Sequence, residues 1–299
     1  MNSRLLVIIF GGADHHYLSK FDCPNLKQAH WGKVSVDNLW QDRDVATQIT
    51  AQLITGKTWE ENGVNERKKV KYIYHGPISN WAENTLFKNI KRGRARRNAL
   101  YTLLGERVTT IAREFLKDDL TCPTLFDLVE NSQAVYVPSY NPEPTWALDR
   151  NILDPRKYPE MGVEAALDLR EKHFYWRKKR LMEALDGPPK NLLMAQFQYL
   201  DSTQHLYLSY HEEDQIDEVE KAYHRIDKFA GEIIEKARGV YDRILFISDN
   251  GAARKIDYKP THHNRPFYSL NKNEEISDTN MRDFFNHILN WTGSYAGSN

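Results

Sequence analysis

Short apolar runs that alternate with long helical patterns are the feature that most constrains the fold of this chain. The run from Leu5 to Phe10 is continuously apolar and ends at Gly11-Gly12. A run this short that is apolar on both faces is typical of a strand buried in a parallel sheet. Further apolar runs occur at 134–138, 191–200 and 243–248, and amphipathic helical patterns occur at 162–185 and 217–236. Because strands that alternate with helices pack in layers, the sequence predicts an α/β protein whose mostly parallel sheet is covered by helices on both faces.

Composition excludes several classes of protein. The 299 residues contain 41 Lys and Arg against 41 Asp and Glu, and this balance excludes a globally basic nucleic-acid binder. Two cysteines, Cys23 and Cys122, cannot form a disulfide framework and fit a reducing compartment. No apolar run approaches the roughly 20 residues that a membrane span needs. We therefore expect a soluble, cytoplasmic protein without a membrane partner.

Acidic residues and histidines follow two of the apolar runs. Asp201 ends the run at 191–200 and His205 follows it, while Asp249-Asn250-Gly251 ends the run at 243–248 and His262 comes eleven residues after Gly251. Residues at the carboxyl ends of strands converge in an open α/β sheet, and carboxylate with imidazole is a ligand set for zinc or manganese. The pattern predicts a metal site. The alternatives are a capping Asp with a solvated His at 201–205 and a simple turn at 249–251.

Seven segments in one order resemble the alkaline phosphatase superfamily, and within it the type I phosphodiesterase and nucleotide pyrophosphatase branch. The segments are Gly11-Gly12-Ala13-Asp14 after the first run, 46–64, Pro-Thr-Leu-Phe-Asp-Leu at 123–128, Leu-Asp-Ser-Thr-Gln-His at 200–205, 222–227, Ser-Asp-Asn-Gly at 248–251, and His262 before 267–271. The resemblance implies a three-layer α/β/α sandwich in one domain over 1–299. It also implies a small inserted cap, which we place at about 65–120.

The resemblance also implies a catalytic centre. The family holds two divalent metals beside a Thr or Ser nucleophile at a helix N-terminus, and Thr47 is the matching hydroxyl, although the family's usual spacing from Thr55-Gly56 leads back to Ala46. Asp201, His205 and His262 match the ligands of one metal. We therefore expect one or two divalent ions per chain, zinc or manganese.

The ligands of the second metal depart from the family's pattern at two positions. Gly11 stands where the family has an Asp after the first strand, and Asn250 stands where it has a His after Asp249. Asp249 and Thr47 remain, which are too few for a closed site. Three replacements are open: Asp14, the carbonyl oxygen of Asn250, or an imidazole from His15 or His16. An oxygen-rich site of this kind favours manganese or magnesium over zinc, and the remaining alternative is one metal or none.

The expected function is hydrolysis of a phosphoric ester, more specifically a phosphodiester or nucleotide, through a phosphothreonine on Thr47. Lys57 or Arg265 is expected to contact the phosphate. A basic segment at 67–97 is interleaved with aromatic residues and is a candidate surface for phosphates or nucleic-acid bases, or else a solvated basic helix. The alternative function is a catalytically impaired relative that acts as a nucleic-acid- or protein-binding module.

Overall fold

The computed structural model describes residues 3–36, 46–64, 69–87, 94–113, 115–142, 162–210, 215–256, 259–277 and 279–294. The chain forms two compact units. The main unit comprises 1–65 and 116–299, and the inserted unit comprises 66–115. The inserted unit lies within the region expected to form a cap, and its role as a cap stays a prediction.

Ten strands are described. They are β1 Leu5–Phe10, β2 His30–Lys33, β3 Lys69–Tyr74, β4 Val108–Arg113, β5 Ser132–Val135, β6 Leu192–Phe197, β7 Arg243–Ile247, β8 Ala253–Ile256, β9 Lys259–His262 and β10 Phe267–Leu270. Six of them form the central sheet of the main unit in the order β2-β10-β7-β1-β6-β5. Strands β5, β6, β1 and β7 are parallel, and β10 is antiparallel to both of its neighbours. The mostly parallel sheet is therefore confirmed.

Helices cover both faces of this sheet. The described α-helices are α1 His15–Lys20, α2 Pro24–Lys27, α3 Ala46–Thr55, α4 Trp59–Asn62, α5 Pro77–Thr85, α6 Arg94–Leu103, α7 Leu125–Leu128, α8 Val163–Asp186, α9 Tyr199–Gln204, α10 Ile216–Ala237 and α11 Asp283–Trp291. On one face, Ile8 belongs to a core with Ile226 and Phe229 of α10. On the other face, Val7 belongs to a core with Ile49 of α3 and further residues. The three-layer α/β/α arrangement is confirmed.

Strand β1 occupies the middle of the sheet because its sequence is apolar on both faces. Each of its side chains is at most 1% exposed, so burial favours folding by about 1.5–3 kcal/mol for each of the larger ones. Its register aligns Ile9 with Gln196 of β6 on one side and with Ile247 of β7 on the other. The carboxyl ends of the three strands therefore meet at one edge of the sheet.

The helices expected over 162–185 and 217–236 are observed as α8 and α10. The strand expected over 134–138 ends earlier, at Val135, because the backbone of Tyr136 has a φ of 55° and leaves the extended region. Cys23 and Cys122 carry free thiols. In the part of the chain that the structure describes, no helix is both long enough and apolar enough to cross a membrane.

The inserted unit contains an antiparallel pair, β3 and β4, together with α5 and α6. Two segments of the main unit that flank the insertion in the sequence are bonded to each other. The N–H of Thr121 donates to the carbonyl oxygen of Asn62 at 3.1 Å, and the hydroxyl of Thr121 donates to the carbonyl of Glu61 at 2.6 Å. The two segments that flank the insertion are therefore held together by the main unit itself.

Candidate metal centre

A cluster of one carboxylate and two imidazoles lies at the carboxyl edge of the sheet. Nε2 of His262 hydrogen-bonds Oδ1 of Asp201 at 2.8 Å, and Nε2 of His205 lies 3.7 Å from the same oxygen. The two imidazole rings are nearly perpendicular, with centroids 4.9 Å apart. The side chains of Asp201, His205 and His262 are 6%, 8% and 10% exposed. Water is therefore largely excluded from this cluster, which we call the Asp/His cluster.

Two elements bring these residues together. Helix α9 begins directly after β6, so Asp201 and His205 lie one turn apart on one helical face, and the helix continues from His205 as a π-helix to Tyr210. The hairpin of β8 and β9 returns His262 to the edge of the sheet, where it pairs with Ala253. Oε1 of Gln204 on α9 accepts the N–H of Ala253 at 3.1 Å and ties this hairpin to the helix.

The donor set fits a divalent metal. One ligand atom from each of Asp201, His205 and His262 can be chosen so that all three lie within 4.8 Å of one another. Two imidazole nitrogens and a carboxylate oxygen form the three-ligand set of catalytic zinc sites, which leave a fourth position for water or substrate. The three ligands predicted for the first metal are thus brought together, and their role as ligands stays a prediction.

Asp249 is a second buried carboxylate at this edge, and it is 2% exposed. Burial, with a smaller contribution from the charge of Asp201, raises the pKa of Asp249 to about 7. Asp201 behaves in the opposite way. Burial on its own would raise the pKa of Asp201, but the positive charges of His205 and His262 and the hydrogen bond from His262 outweigh burial and lower it. A nearby cation would lower the pKa of Asp249 in the same manner.

The two departures from the family's ligand pattern have structural explanations. A Cβ built on Gly11 would lie 2.3 Å from Oε1 of Gln198, so the Gln198 amide occupies the space of a side chain at position 11. Oδ1 of Asn250 accepts the N–H of Gly12 at 2.8 Å. The oxygen of Asn250 that we expected to bind metal is therefore engaged in fixing the turn after β1.

Asp14 is bonded within the loop that follows β1. Its carboxylate caps α1 by accepting the N–H of His16 at 2.8 Å and also accepts the N–H of Ala252 at 3.0 Å. Nε of Arg265 donates to the same carboxylate at 3.3 Å. These bonds hold Asp14 in the loop structure, and its role as a replacement ligand stays a prediction. Arg265 is likewise drawn to Asp14, and its contact with a phosphate stays a prediction. Of the two neighbouring histidines, His15 packs its ring against Trp31.

Thr47 lies in the first turn of α3 and is 8% exposed. Its carbonyl oxygen accepts the hydroxyl of Ser139 at 2.9 Å, in the segment that follows β5. Lys57 lies beyond the other end of the same helix and is exposed. Thr47 and Lys57 therefore lie at opposite ends of α3, and the contact of Lys57 with a phosphate stays a prediction.

Most of the lysines and arginines of the basic segment at 67–97 lie outside the residues or side chains that the structure describes. Of its ten basic residues, the structure describes the side chains of Arg96 and Arg97. Arg97 forms an ion pair with Glu83 and lies over the ring of Phe87 at 4.5 Å. Arg97 is thus used inside the inserted unit, and the nucleic-acid surface stays a prediction.

Three glutamines at this site were not identified from the sequence: the buried Gln196 and Gln204 and the half-buried Gln198. Nε2 of Gln196 donates to Oδ2 of Asp249 at 2.8 Å, Gln198 covers Gly11, and Gln204 anchors the hairpin. The sequence could have indicated Gln196, since it is the one polar residue within strand β6. It could not have indicated Gln198, because the position of that side chain depends on the missing side chain of Gly11.

Comparison with known proteins shows the fold. No protein-family model and no curated protein sequence matches the chain. The chain is similar to human ectonucleotide pyrophosphatase/phosphodiesterase 5, with 12% identity and a TM-score of 0.52 over 99% of this chain and 96% of that chain. Alkaline phosphatase from the Antarctic bacterium TAB5 gives 8% identity and a TM-score of 0.50 over 99% of both chains.

A third match is the inactive murine ectonucleotide pyrophosphatase/phosphodiesterase 5 in complex with AMP, with 14% identity and a TM-score of 0.41 over 85% of this chain. The chain spans 58% of the length of that murine structure. The human and bacterial matches confirm the predicted fold, an α/β/α sandwich like that of alkaline phosphatase.

Proposed function

We propose that this chain is a metal-dependent phosphoric ester hydrolase that acts on a phosphodiester or nucleotide. The observation that carries the proposal is the buried Asp/His cluster at the carboxyl edge of the sheet. It lies where open α/β sheets place their ligands, and its donor set suits a catalytic zinc or manganese ion. We propose a phosphodiester or nucleotide as the substrate because the chain shares its fold with a human nucleotide pyrophosphatase/phosphodiesterase.

The residues of the chain have distinct roles in this proposal. Asp201, His205 and His262 would hold the metal, which would supply positive charge to stabilise negative charge on the phosphoryl oxygens. The Thr47 oxygen attacks phosphorus in line, so that a P–O bond to Thr47 forms while the bond to the leaving oxygen breaks. The hydroxyl proton passes through solvent to the leaving oxygen, which departs as an alcohol. Water then cleaves the phosphothreonine and restores the hydroxyl. The N-terminal position of Thr47 on α3 favours this step, because N–H groups at a helix start attract a phosphate.

Substitution of Thr47 tests this proposal. We expect Thr47→Ala to lose at least about 1000-fold in turnover of bis(4-nitrophenyl) phosphate, because no hydroxyl remains to attack phosphorus. Thr47→Ser keeps the hydroxyl and serves as the matched control. Both variants should retain the zinc content of the wild-type protein. Turnover by Thr47→Ala at the wild-type rate would show that Thr47 is not the nucleophile.

A second candidate function is a non-catalytic binding module. Two departures at the family's second metal site favour it. Gly11 supplies no carboxylate, and the Asn250 oxygen accepts the N–H of Gly12. A gel-shift assay with single-stranded DNA or RNA separates the two candidates. Retardation by the wild-type chain, lost when Arg92, Arg94, Arg96 and Arg97 are neutralised, together with no hydrolysis of phosphate esters, would establish the binding module.

A further inference from the structure

Helix α9 carries the candidate metal ligands on one face and a separate set of contacts on the opposite face. Asp201 and His205 are four residues apart and share the face of the Asp/His cluster. Tyr199 and Thr203 are also four residues apart, and a rotation of about 100° per residue places them on the opposite face. Tyr199 is 6% exposed and Thr203 is 1% exposed. The face of α9 that carries no ligand is therefore packed within the main unit.

The ring of Tyr199 is in contact with two arginines from two other helices. Arg170 of α8 lies over the ring with its Cζ 4.6 Å from the centroid, and Arg225 of α10 lies over the same ring at 4.9 Å. A guanidinium stacks on an aromatic ring because its plane matches the ring and its positive charge is attracted to the π electrons. One side chain of α9 thus joins three helices of the main unit.

Hydrogen bonds connect the same residues. The Tyr199 hydroxyl donates to Oε1 of Glu171 on α8 at 2.9 Å, and Nη1 of Arg225 donates to that oxygen at 2.8 Å. Nη1 of Arg170 donates to Oγ1 of Thr203 at 2.8 Å, and the Thr203 hydroxyl donates to the carbonyl oxygen of Tyr199 at 2.7 Å. We call these five residues the Tyr199 network. The network fixes both the side chain of Tyr199 and the first turn of α9.

We infer that the Tyr199 network positions the metal ligands of α9, although none of its residues belongs to the Asp/His cluster. Residues behind the ligands set metal affinity because they hold the donor atoms in place. A small rotation of α9 would move Asp201 and His205 relative to His262, which another element carries. The inference rests on metal binding by the Asp/His cluster, which is part of the proposed function, and not on hydrolysis. It can therefore be tested without an activity assay.

The test compares Arg170→Leu with the matched control Lys178→Leu in zinc titrations against a chromophoric chelator. Lys178 also lies on α8, and its ion pair with Glu232 joins α8 to α10 rather than to α9. Each substitution removes one positive charge from α8. Charge alone would make both variants bind Zn²⁺ as tightly as the wild type or more tightly, because a nearby cation repels the metal. We expect Arg170→Leu instead to bind Zn²⁺ about 10-fold more weakly, and Lys178→Leu to keep the wild-type Kd.

Two further readouts separate positioning from a general loss of stability. The visible absorption of the Co²⁺-loaded protein reports the geometry of the site, so its bands should change in Arg170→Leu and stay unchanged in Lys178→Leu. Arg170→Lys keeps the charge and a donor for Thr203 but loses the planar group that stacks on the ring. Its Kd for Zn²⁺ should therefore lie between those of the wild type and Arg170→Leu.

Tyr199→Phe keeps the test decisive if Arg170→Leu does not fold, because it retains the ring and removes only the hydroxyl that donates to Glu171. It should bind Zn²⁺ more weakly than the wild type and change the Co²⁺ bands. The inference is overturned, and the metal site stands, if Arg170→Leu or Tyr199→Phe keeps the wild-type Kd and spectrum. An equal loss of affinity in Lys178→Leu would overturn it as well. A wild-type chain that binds no Zn²⁺ would overturn both the inference and the proposed function.

Discussion

Two aspartates follow the strands on either side of β1, yet their carboxyl groups have opposite shifts in pKa. Asp201 is beside two imidazoles, which hold its pKa below the usual range although burial acts against them. Asp249 is buried beside a glutamine amide, and its pKa rises to about 7. Near neutral pH, Asp201 is therefore ionised and able to bind a cation. Asp249 is only partly ionised until a bound cation displaces its proton.

We expect Asp249→Asn to stabilise the metal-free protein in a pH-dependent way. The folded-state pKa of Asp249 is higher than its unfolded-state value, so the buried charge destabilises the folded protein increasingly as pH rises from about 4 to about 7, and the full penalty remains above that. A shift of this size corresponds to a few kcal/mol, on the order of 1.4 per pH unit. The neutral amide of Asn carries no such penalty.

Differential scanning calorimetry with a chelator present measures this effect. The Tm of Asp249→Asn should exceed that of the wild type by several degrees at about pH 8 and equal it at about pH 4. Added Mn²⁺ should raise the Tm of the wild type more than that of the variant. A Tm difference that does not change with pH would contradict the assigned pKa of Asp249.

Among single residues, the sequence was sufficient wherever a candidate ligand directly follows a strand. Asp201 and Asp249 lie at the same edge of the sheet because parallel strands bring their carboxyl ends together. The Gln198 amide could not be predicted, since its direction is set by the space above Gly11.

At the scale of elements, the turn after β1 fits closely against the start of α9. Gly12 has a φ of 78°, and a Cβ on it would lie 2.7 Å from Cα of Asp201. Glycine is required here both for the left-handed backbone and for the close approach. This turn fixes the distance between the end of β1 and the first ligand of the Asp/His cluster.

We expect Gly12→Ala to destabilise the protein and weaken zinc binding, because the new methyl group displaces the backbone of Asp201. Gly239→Ala is the matched control, since Gly239 also has a positive φ, 73°, but a Cβ there would meet nothing within 4 Å. The control should cost about 1–2 kcal/mol for the left-handed backbone alone. Urea unfolding and zinc titration should show a larger loss for Gly12→Ala, and equal losses would contradict the close fit.

The β8–β9 hairpin carries His262 and is held to α9 by Gln204. We expect Gln204→Leu to weaken zinc binding about 10-fold, because the N–H of Ala253 loses its acceptor and His262 is positioned less firmly. Gln204→Glu retains an acceptor oxygen and should bind zinc more tightly than Gln204→Leu does. Near-wild-type zinc affinity in Gln204→Leu would show that the hairpin keeps its position without this bond.

Helices and central strands were predictable because their apolar periodicity is long and regular, as in α8 and α10. The hairpin that carries His262 was not identified in the sequence. Its strands β8 and β9 have four residues each and contain Arg, Lys and Pro. They form a separate two-stranded sheet, and no apolar pattern marks them.

At the scale of the whole molecule, the chain consists of a main unit with the α/β/α fold and an inserted unit of 66–115. The layered fold was predictable because alternating strands and helices allow few arrangements. The fold is shared with the human and bacterial structures despite low sequence identity, because packed layers require an apolar pattern rather than particular residues. The basic composition of 67–97 marks part of the insertion but not its end at 115.

We expect the main unit to fold without the inserted unit. Replacement of 66–115 by a short Gly-Ser linker should leave the Asp/His cluster able to bind zinc, because the bonds from Thr121 to Asn62 and Glu61 hold the flanking segments together. Circular dichroism and zinc titration of the shortened chain measure this. Loss of cooperative unfolding in the shortened chain would show that the main unit needs the insertion.

The contact between Gly11 and Gln198 also has a genetic consequence. Two of the four glycine codons become aspartate codons through one nucleotide change, so a carboxylate at position 11 is easily reached by mutation. An aspartate there would displace the Gln198 amide rather than join it, because the first atom of its side chain would lie 2.3 Å from Oε1 of Gln198. The side chains of residues 11 and 198 therefore compete for one space, and substitutions at these two positions should covary among relatives of this chain.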